Sequence, residues 1–208
     1  METIKTVETV RGKNCITFES GWQVWLDRKL HPGFSLREGV QVDRKKFEKF
    51  ILYHQYPSAL ERAVAMLAER SRSKKEIENR LRLNRYDQEV IGLVIFKLEK
   101  ENLLNDGEFS SQWVESRMKK YGPARIRMEL RMKGIDPDTA SGAMNLCSED
   151  EQLKTAVILA KKKMKSLGCI GDRKAVFRKV VPMLTRRGFS WETARKAYEA
   201  ALGESADD

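Results

Sequence analysis

Lys120-Tyr121-Gly122-Pro123-Ala124-Arg125-Ile126-Arg127-Met128-Glu129-Leu130-Arg131-Met132-Lys133-Gly134-Ile135 reads as one short helix bounded at both ends. Pro123 suits a first helical position, where its missing N–H would have no partner anyway. Ile126 and Leu130 fall on one face at i, i+4. Gly134 supplies a left-handed stop. The other faces carry Arg125, Arg127, Arg131 and Lys133. The segment is a basic helix with a narrow apolar seam.

Outward from this helix, helical signals fill the chain from residue 57 onward. Ser58 with Glu61, Ser73 with Glu76, and Ser148 with Glu151 have capping-box spacing, in which each side chain satisfies an orphan N–H of the other's turn. Asp87, Asp106, Asp136 (ahead of Pro137) and Ser190 are further N-cap candidates. Leu60, Ala63, Val64 and Leu67 form an i, i+3, i+4, i+7 stripe. The pattern predicts about nine helices joined by short loops.

The helices group in threes. Leu81, Leu130 and Leu184 align, 49 and 54 residues apart, with Ile77, Ile126 and Val180 four residues before them and Asp87, Asp136 and Ser190 after them. Each unit reads as an apolar anchor, a turn, then a capped helix. Tandem units of this size stack on their neighbours, which predicts an elongated array rather than one compact bundle. The expected divisions are 58–106, 107–148 and 149–204, with a frayed tail at 205–208.

Residues 1–57 read differently. Cys15-Ile16-Thr17-Phe18 and Trp22-Gln23-Val24-Trp25-Leu26 flank Glu19-Ser20-Gly21, which predicts a β-hairpin. Ile4 to Val10 would add a strand, and Pro32, Gly33 and Gly39 punctuate a loop. Asp43 then caps a basic helix through about Tyr53, and Pro57 is expected to break the chain. The fold class is therefore mostly α: an elongated array of three three-helix repeats behind a small α+β region with a β-hairpin.

The net charge is +10 and the pI about 9.5, which favours a polyanionic or acidic partner. The excess recurs at the repeat period: residues 70–85 carry +5, 111–133 carry +5, and 161–187 carry +9. Phe109, Trp113, Phe177, Phe189, Trp191 and Tyr198 fall at helix-packing positions. Phe18, Trp22 and Trp25 are ambiguous between packing and a stacking surface for bases.

Catalytic signals are lacking. The sequence holds no GxxxxGK[ST] loop, no HExxH and no paired Cys/His zinc spacing. His31 and His54 are the only histidines, and Cys15, Cys147 and Cys169 form no disulfide framework. No stretch approaches the ~20 apolar residues of a membrane span. The expectation is a cytoplasmic protein that is not an enzyme, with no cofactor and no metal site.

Residues 57 to 202 resemble the bacterial RecX family of RecA regulators. The matches are Arg70-Ser71-Arg72-Ser73-Lys74-Lys75-Glu76 through Leu81, Leu103-Leu104-Asn105-Asp106-Gly107-Glu108-Phe109 (with Asn102 where the family often has Gly), Tyr121-Gly122-Pro123 through Ile135, and Arg186-Arg187-Gly188-Phe189. The resemblance implies three tandem three-helix units that lodge in the groove of the RecA–single-stranded DNA filament. There they would restrain filament growth, ATP turnover, strand exchange and co-protease activity, without a catalytic site. The implied partners are the RecA filament and its single-stranded DNA, with free DNA as a further partner, no membrane, and a monomeric state. Charge and position nominate Arg72, Lys74, Lys75 and Arg82 in the first repeat as contacts. Arg125, Arg127, Arg131 and Lys133 are the nominees in the second, and Arg178, Lys179, Arg186 and Arg187 in the third. The competing reading is a non-specific nucleic-acid-binding helical module, since trihelical units also build DNA-binding domains.

Overall fold

A computed structural model describes residues 1–30, 35–168 and 173–204. His31, Pro32, Gly33, Cys169 and the tail at 205–208 lie outside the described residues. Among those described are four strands, β1 (Glu2–Val10), β2 (Lys13–Phe18), β3 (Gln23–Asp27) and β4 (Gln41–Val42), and nine helices. The helices are α1 (Arg44–Glu69), α2 (Lys74–Leu83), α3 (Gln88–Lys100), α4 (Asp106–Met118), α5 (Pro123–Met132), α6 (Pro137–Met144), α7 (Glu149–Leu167), α8 (Arg173–Arg186) and α9 (Trp191–Glu204). They form two compact units that meet in sequence between Leu104 and Asn105.

In the first unit the strands build an antiparallel sheet of order β3-β2-β1-β4. The β1–β2 turn is Arg11-Gly12, with φ of 49° and 80°; two left-handed residues match the twist of the flanking strands. Alternation puts Ile4, Ile16, Phe18, Val24 and Leu26 on the buried face, against Phe47 and Ile51 of α1. The same core continues without interruption through Ala59, Ala63, Ile77, Leu81, Ile91, Val94 and Leu98 to Leu104. The strand region and the first three-helix repeat thus share one core.

The expected break at Pro57 does not occur: α1 runs through it. Proline removes the N–H that would bond the carbonyl of residue 53, at a cost of about 3 kcal/mol in a helix interior. Here Pro57 is exposed and Tyr53 is 78% exposed, so water can reach the freed carbonyl. On the opposite side Ile51, Gln55, Ala59 and Ala63 are buried and hold both halves on one core. Ser58 is consequently not an N-cap; its hydroxyl donates to the Gln55 carbonyl at 3.1 Å. Likewise Asn105, not Asp106, caps α4, accepting from the N–H groups of Gly107 and Glu108. Val64 and Trp191, expected to pack, are exposed. The other caps, Asp43, Ser73 with Glu76, Asp87, Asp136, Ser148 and Ser190, accept helix N–H groups as expected.

The repeat alignment has a backbone counterpart. Four residues after each aligned leucine the chain turns left-handed: Arg85 (φ 66°), Gly134 (78°) and Gly188 (91°). The next residue donates back to the leucine carbonyl each time, Tyr86 to Leu81, Ile135 to Leu130 and Phe189 to Leu184, at 3.1–3.3 Å. The leucines and the residues four before them are fully buried. The second unit holds two cores, one on α4–α6 around Val114, Ile126 and Leu130, the other on α7–α9 around Val180 and Leu184. In the latter Ala156, Ala160, Ala194, Ala197 and Ala201 are fully buried, so the helices approach closely.

Gln55 joins sheet to helix inside the first unit. Its amide donates to the Trp25 carbonyl at 2.7 Å and accepts from the Asp87 N–H at 2.8 Å. Gln55→Leu leaves both groups unpaired. The expected result is a loss of about 1–3 kcal/mol in denaturant unfolding.

Candidate partner-binding site

The nominated cations lie on the middle helix of each repeat or, for Arg72, Lys133 and Arg187, just beyond its ends, and local carboxylates decide what most of them can do. In the first repeat every nominee is engaged. Arg72 donates to the Met66 carbonyl at 2.9 Å and pairs with Glu69 at 2.8 Å, stitching the α1–α2 turn. Lys74 pairs with Glu99 of α3 at 2.8 Å, and Lys75 lies 3.8 Å from Glu78. Arg82 donates to Asn79 at 3.0 Å and Gln88 at 3.5 Å.

In the second repeat Glu129 is a hub. Its carboxylate accepts from Trp113 Nε1 at 3.2 Å and Arg125 Nε at 3.2 Å. Arg117 Nε lies 3.1 Å away as an ion pair, off the hydrogen-bond axis. Rings and cations stack around it: Arg117 over Trp113 at 4.4 Å, Arg125 over Tyr121 at 4.6 Å, Lys133 over Trp113 at 4.1 Å. Such contacts add roughly 0.5–2 kcal/mol each, so Lys133 helps to fasten the end of α5 to α4, and Arg125 fastens α5 to the turn at Tyr121. Arg127 and Arg131 point away from this hub. Both are exposed, and among the described residues neither side chain makes a hydrogen bond or ion pair.

In the third repeat Arg178, Lys179 and Arg186 are exposed on α8 with no such partner among the described residues. Arg178 and Arg186 share one i±4 row. Arg187 instead donates to the Lys120 carbonyl at 3.4 Å, part of a joint between two repeats. Gly122 N–H donates to the Arg187 carbonyl at 2.9 Å and Ala124 N–H to the Gly188 carbonyl at 3.2 Å. A Cβ on Gly122 would sit 2.3 Å from the Gly188 carbonyl carbon, and one on Gly188 2.5 Å from Arg125 N. The two glycines let backbone meet backbone, so the Tyr-Gly-Pro turn and the Arg-Arg-Gly-Phe turn are two halves of one contact.

The hairpin aromatics pack internally. Phe18 is fully buried and stacks on Trp22 at 4.7 Å, while Arg44 covers Trp22 at 4.9 Å. Arg85 covers Trp25 at 4.8 Å. The cleft of about 450 Å³ beside them holds Glu48, Asp87 and Glu89 as well as Arg44, Arg82 and Arg85, so it has no cationic excess. Burial raises the thiol pKa values of Cys15 and Cys147, which keeps both protonated and poor as nucleophiles. Among the described residues no cluster of three or more His, Cys, Asp or Glu is placed to hold a metal, and no helix is long and apolar enough to cross a membrane.

The three-helix geometry has counterparts among known proteins. Residues 59–98 match the model of the first RecX three-helix domain, and residues 105–144 that of the second. The regulatory protein RecX of Chlorobaculum tepidum is 32% identical over 151 residues, 72% of this chain and 91% of that one. The chain belongs to the RecX family of regulatory proteins. RecX of Bacillus subtilis is 30% identical over 185 residues, covering 88% of this chain and 70% of its own. The crystal structure of RecX from Lactobacillus salivarius superposes with a TM-score of 0.64 at 26% identity, over 70% of this chain and 96% of that one. A further RecX crystal structure covers 98% of this chain and 100% of its own with a TM-score of 0.65, at 22% identity, a likeness of fold.

Gly122→Ala should destabilise the second unit by about 1–3 kcal/mol or more, because both clashing partners are backbone. Gly142→Ala in α6, where an added Cβ meets nothing within 4 Å, should be neutral or stabilise by about 0.5–1 kcal/mol. Urea unfolding of the two variants beside the wild type checks the contrast.

Proposed function

We propose that this RecX-family chain is a negative modulator of the RecA recombinase. It binds the groove of the RecA–single-stranded DNA filament and restrains filament growth, ATP turnover, strand exchange and co-protease activity, in the regulation of DNA repair and the SOS response. Family membership supports the recombinase as partner. The observation that carries the binding mode is the set of exposed cations, Arg127, Arg131, Arg178, Lys179 and Arg186, left without ion pairs among the described residues, while Arg125 and Arg187 beside them are engaged locally. Charges held on packed helices pay little ordering entropy on binding an acidic surface or a phosphate backbone.

In this reading the chain acts without catalysis, as a monomer in the cytoplasm, and its effect comes from differential affinity for filament states. The α8 row favours a second reading as well, direct binding to nucleic acid, since Arg178 and Arg186 are exposed on one row and phosphate contacts need no defined partner surface.

RecA-dependent ATP hydrolysis on single-stranded DNA, titrated with the chain far below the RecA concentration, separates the two. Inhibition at such ratios with the DNA uncleaved is expected. An effect only once the DNA itself is saturated would replace filament regulation with competition for DNA. Arg178→Glu combined with Arg186→Glu should weaken the inhibition by about tenfold or more at low salt, and by less as salt rises.

A further inference from the structure

The exposed face of α5 combines features that no other middle helix combines. Ala124, Met128 and Met132 form one i±4 row, and Arg127 and Arg131 the row beside it. All five residues are exposed, Met132 to 73% and Met128 to 42%. Ile126 and Leu130 already fill the core side, so the methionines have no internal place to go. The leucine alignment shows what the other repeats put here. On α2 the positions of Met128 and Met132 hold Asn79 and Leu83, and those of Arg127 and Arg131 hold Glu78 and Arg82. On α8 they hold Pro182 and Arg186, then the buried Val181 and half-buried Thr185.

Arg127 lines a cleft with Glu149, Asp150 and Glu192 on neighbouring helix starts, yet pairs with none of them among the described residues. Those carboxylates are spent locally: Glu192 pairs with Lys196 at 2.8 Å, and Glu149 and Asp150 sit in the first turn of α7, where the helix dipole favours them. The α5 helix itself is fastened by Glu129, which accepts from Trp113 Nε1 of α4, and by the Gly122–Gly188 joint. Its exposed face is a preformed strip with an apolar row and a cationic row side by side.

A phosphate backbone would use the arginines and leave both methionines in water. A protein surface with an apolar groove and a carboxylate rim would cover both rows, the thioethers adapting to the groove and the guanidiniums forking onto carboxylates. We propose that this face docks such an acidic-rimmed apolar groove on a protein partner. The assignment rests on the filament reading above in taking that partner to be a recombinase protomer rather than the DNA.

The test compares wild type, the double variant Met128→Ser with Met132→Ser, and Arg127→Glu with Arg131→Glu. Each is titrated onto preassembled RecA–single-stranded DNA filaments and onto the bare oligonucleotide. Both doubles should weaken filament binding by about tenfold or more, while the serine double binds the oligonucleotide as wild type does. Wild-type binding to filaments that the serine double matches would overturn the docking face alone. Equal loss on filament and oligonucleotide would overturn it too, making the face a nucleic-acid contact. Wild type that fails to bind filaments would overturn the recombinase reading and the assignment with it. Should the serine double not fold, a photo-crosslinking amino acid at position 132 in the otherwise unaltered chain gives the same decision. A crosslink to the recombinase polypeptide is expected; one to the DNA strand, or none, contradicts the proposal.

Discussion

Each three-helix repeat depends on a reversal four residues after a buried leucine, where the chain has to enter the left-handed region. Leu81, Leu130 and Leu184 are fully buried, and Arg85, Gly134 and Gly188 carry the positive φ. The reversal satisfies the terminal carbonyls of the middle helix and aims the next residue at a cap, so the third helix starts in a fixed direction. Glycine adopts this conformation at no steric cost, whereas Arg85 adopts it at roughly 1–2 kcal/mol. The turn holding Arg85 is tied down from outside: Lys13 Nζ donates to the Asn84 carbonyl at 2.7 Å, and the Arg85 guanidinium lies over Trp25. The strand region thus braces the one reversal that lacks glycine. In the third repeat the absence of a side chain at Gly188 serves a second purpose, admitting the Gly122 turn to backbone contact.

The cationic character of the chain divides by neighbourhood. Where an acidic side chain projects from an adjacent helix, the cation becomes mortar: Lys74 with Glu99 and Arg117 with Glu129, which Arg125 joins from its own helix. Exposed pairs of this kind add little stability, commonly below about 1 kcal/mol. The Glu129 hub is stronger in kind, because its carboxylate is largely shielded, accepts from two donors, pairs with a further cation, and lies beside two rings that cations cover. On the outer faces of α5 and α8 the exposed cations Arg127, Arg131, Arg178, Lys179 and Arg186 make no ion pair among the described residues, and their charge is left for a partner. The repeat period sets where cations occur, and packing sets which are spent.

Much of the fold was legible because its determinants are local. Caps such as Ser73, Asp87 and Asp136 and the stop at Gly134 act within four residues of themselves, so spacing reveals them. The continuity of α1 through Pro57 was not legible, since burial of Ile51, Gln55 and Ala63 against a distant sheet decides it. Nor was the Gly122–Gly188 joint: the two glycines lie far apart in sequence, and only the tertiary approach of two repeats shows that each makes room for the other. For the candidate site, the basic helices were visible in the composition of each repeat. The fate of each cation was not, because it turns on where Glu99 and Glu129 come to lie. Met128 and Met132 lie off the Ile126–Leu130 seam, and their exposure follows from a core already filled by those two residues.

The central claim is that structural and partner-directed cations are different residues on the same helices. A glutamine scan of the nominated cations, with unfolding free energy and affinity for RecA–DNA filaments read on the same samples, tests it most directly. The account predicts that Arg72, Arg125 and Lys133 lose stability while the folded fraction keeps its affinity, and that Arg127, Arg131, Arg178, Lys179 and Arg186 lose affinity at unchanged stability. Affinity losses spread evenly over both groups, or stability losses in the second, would contradict it.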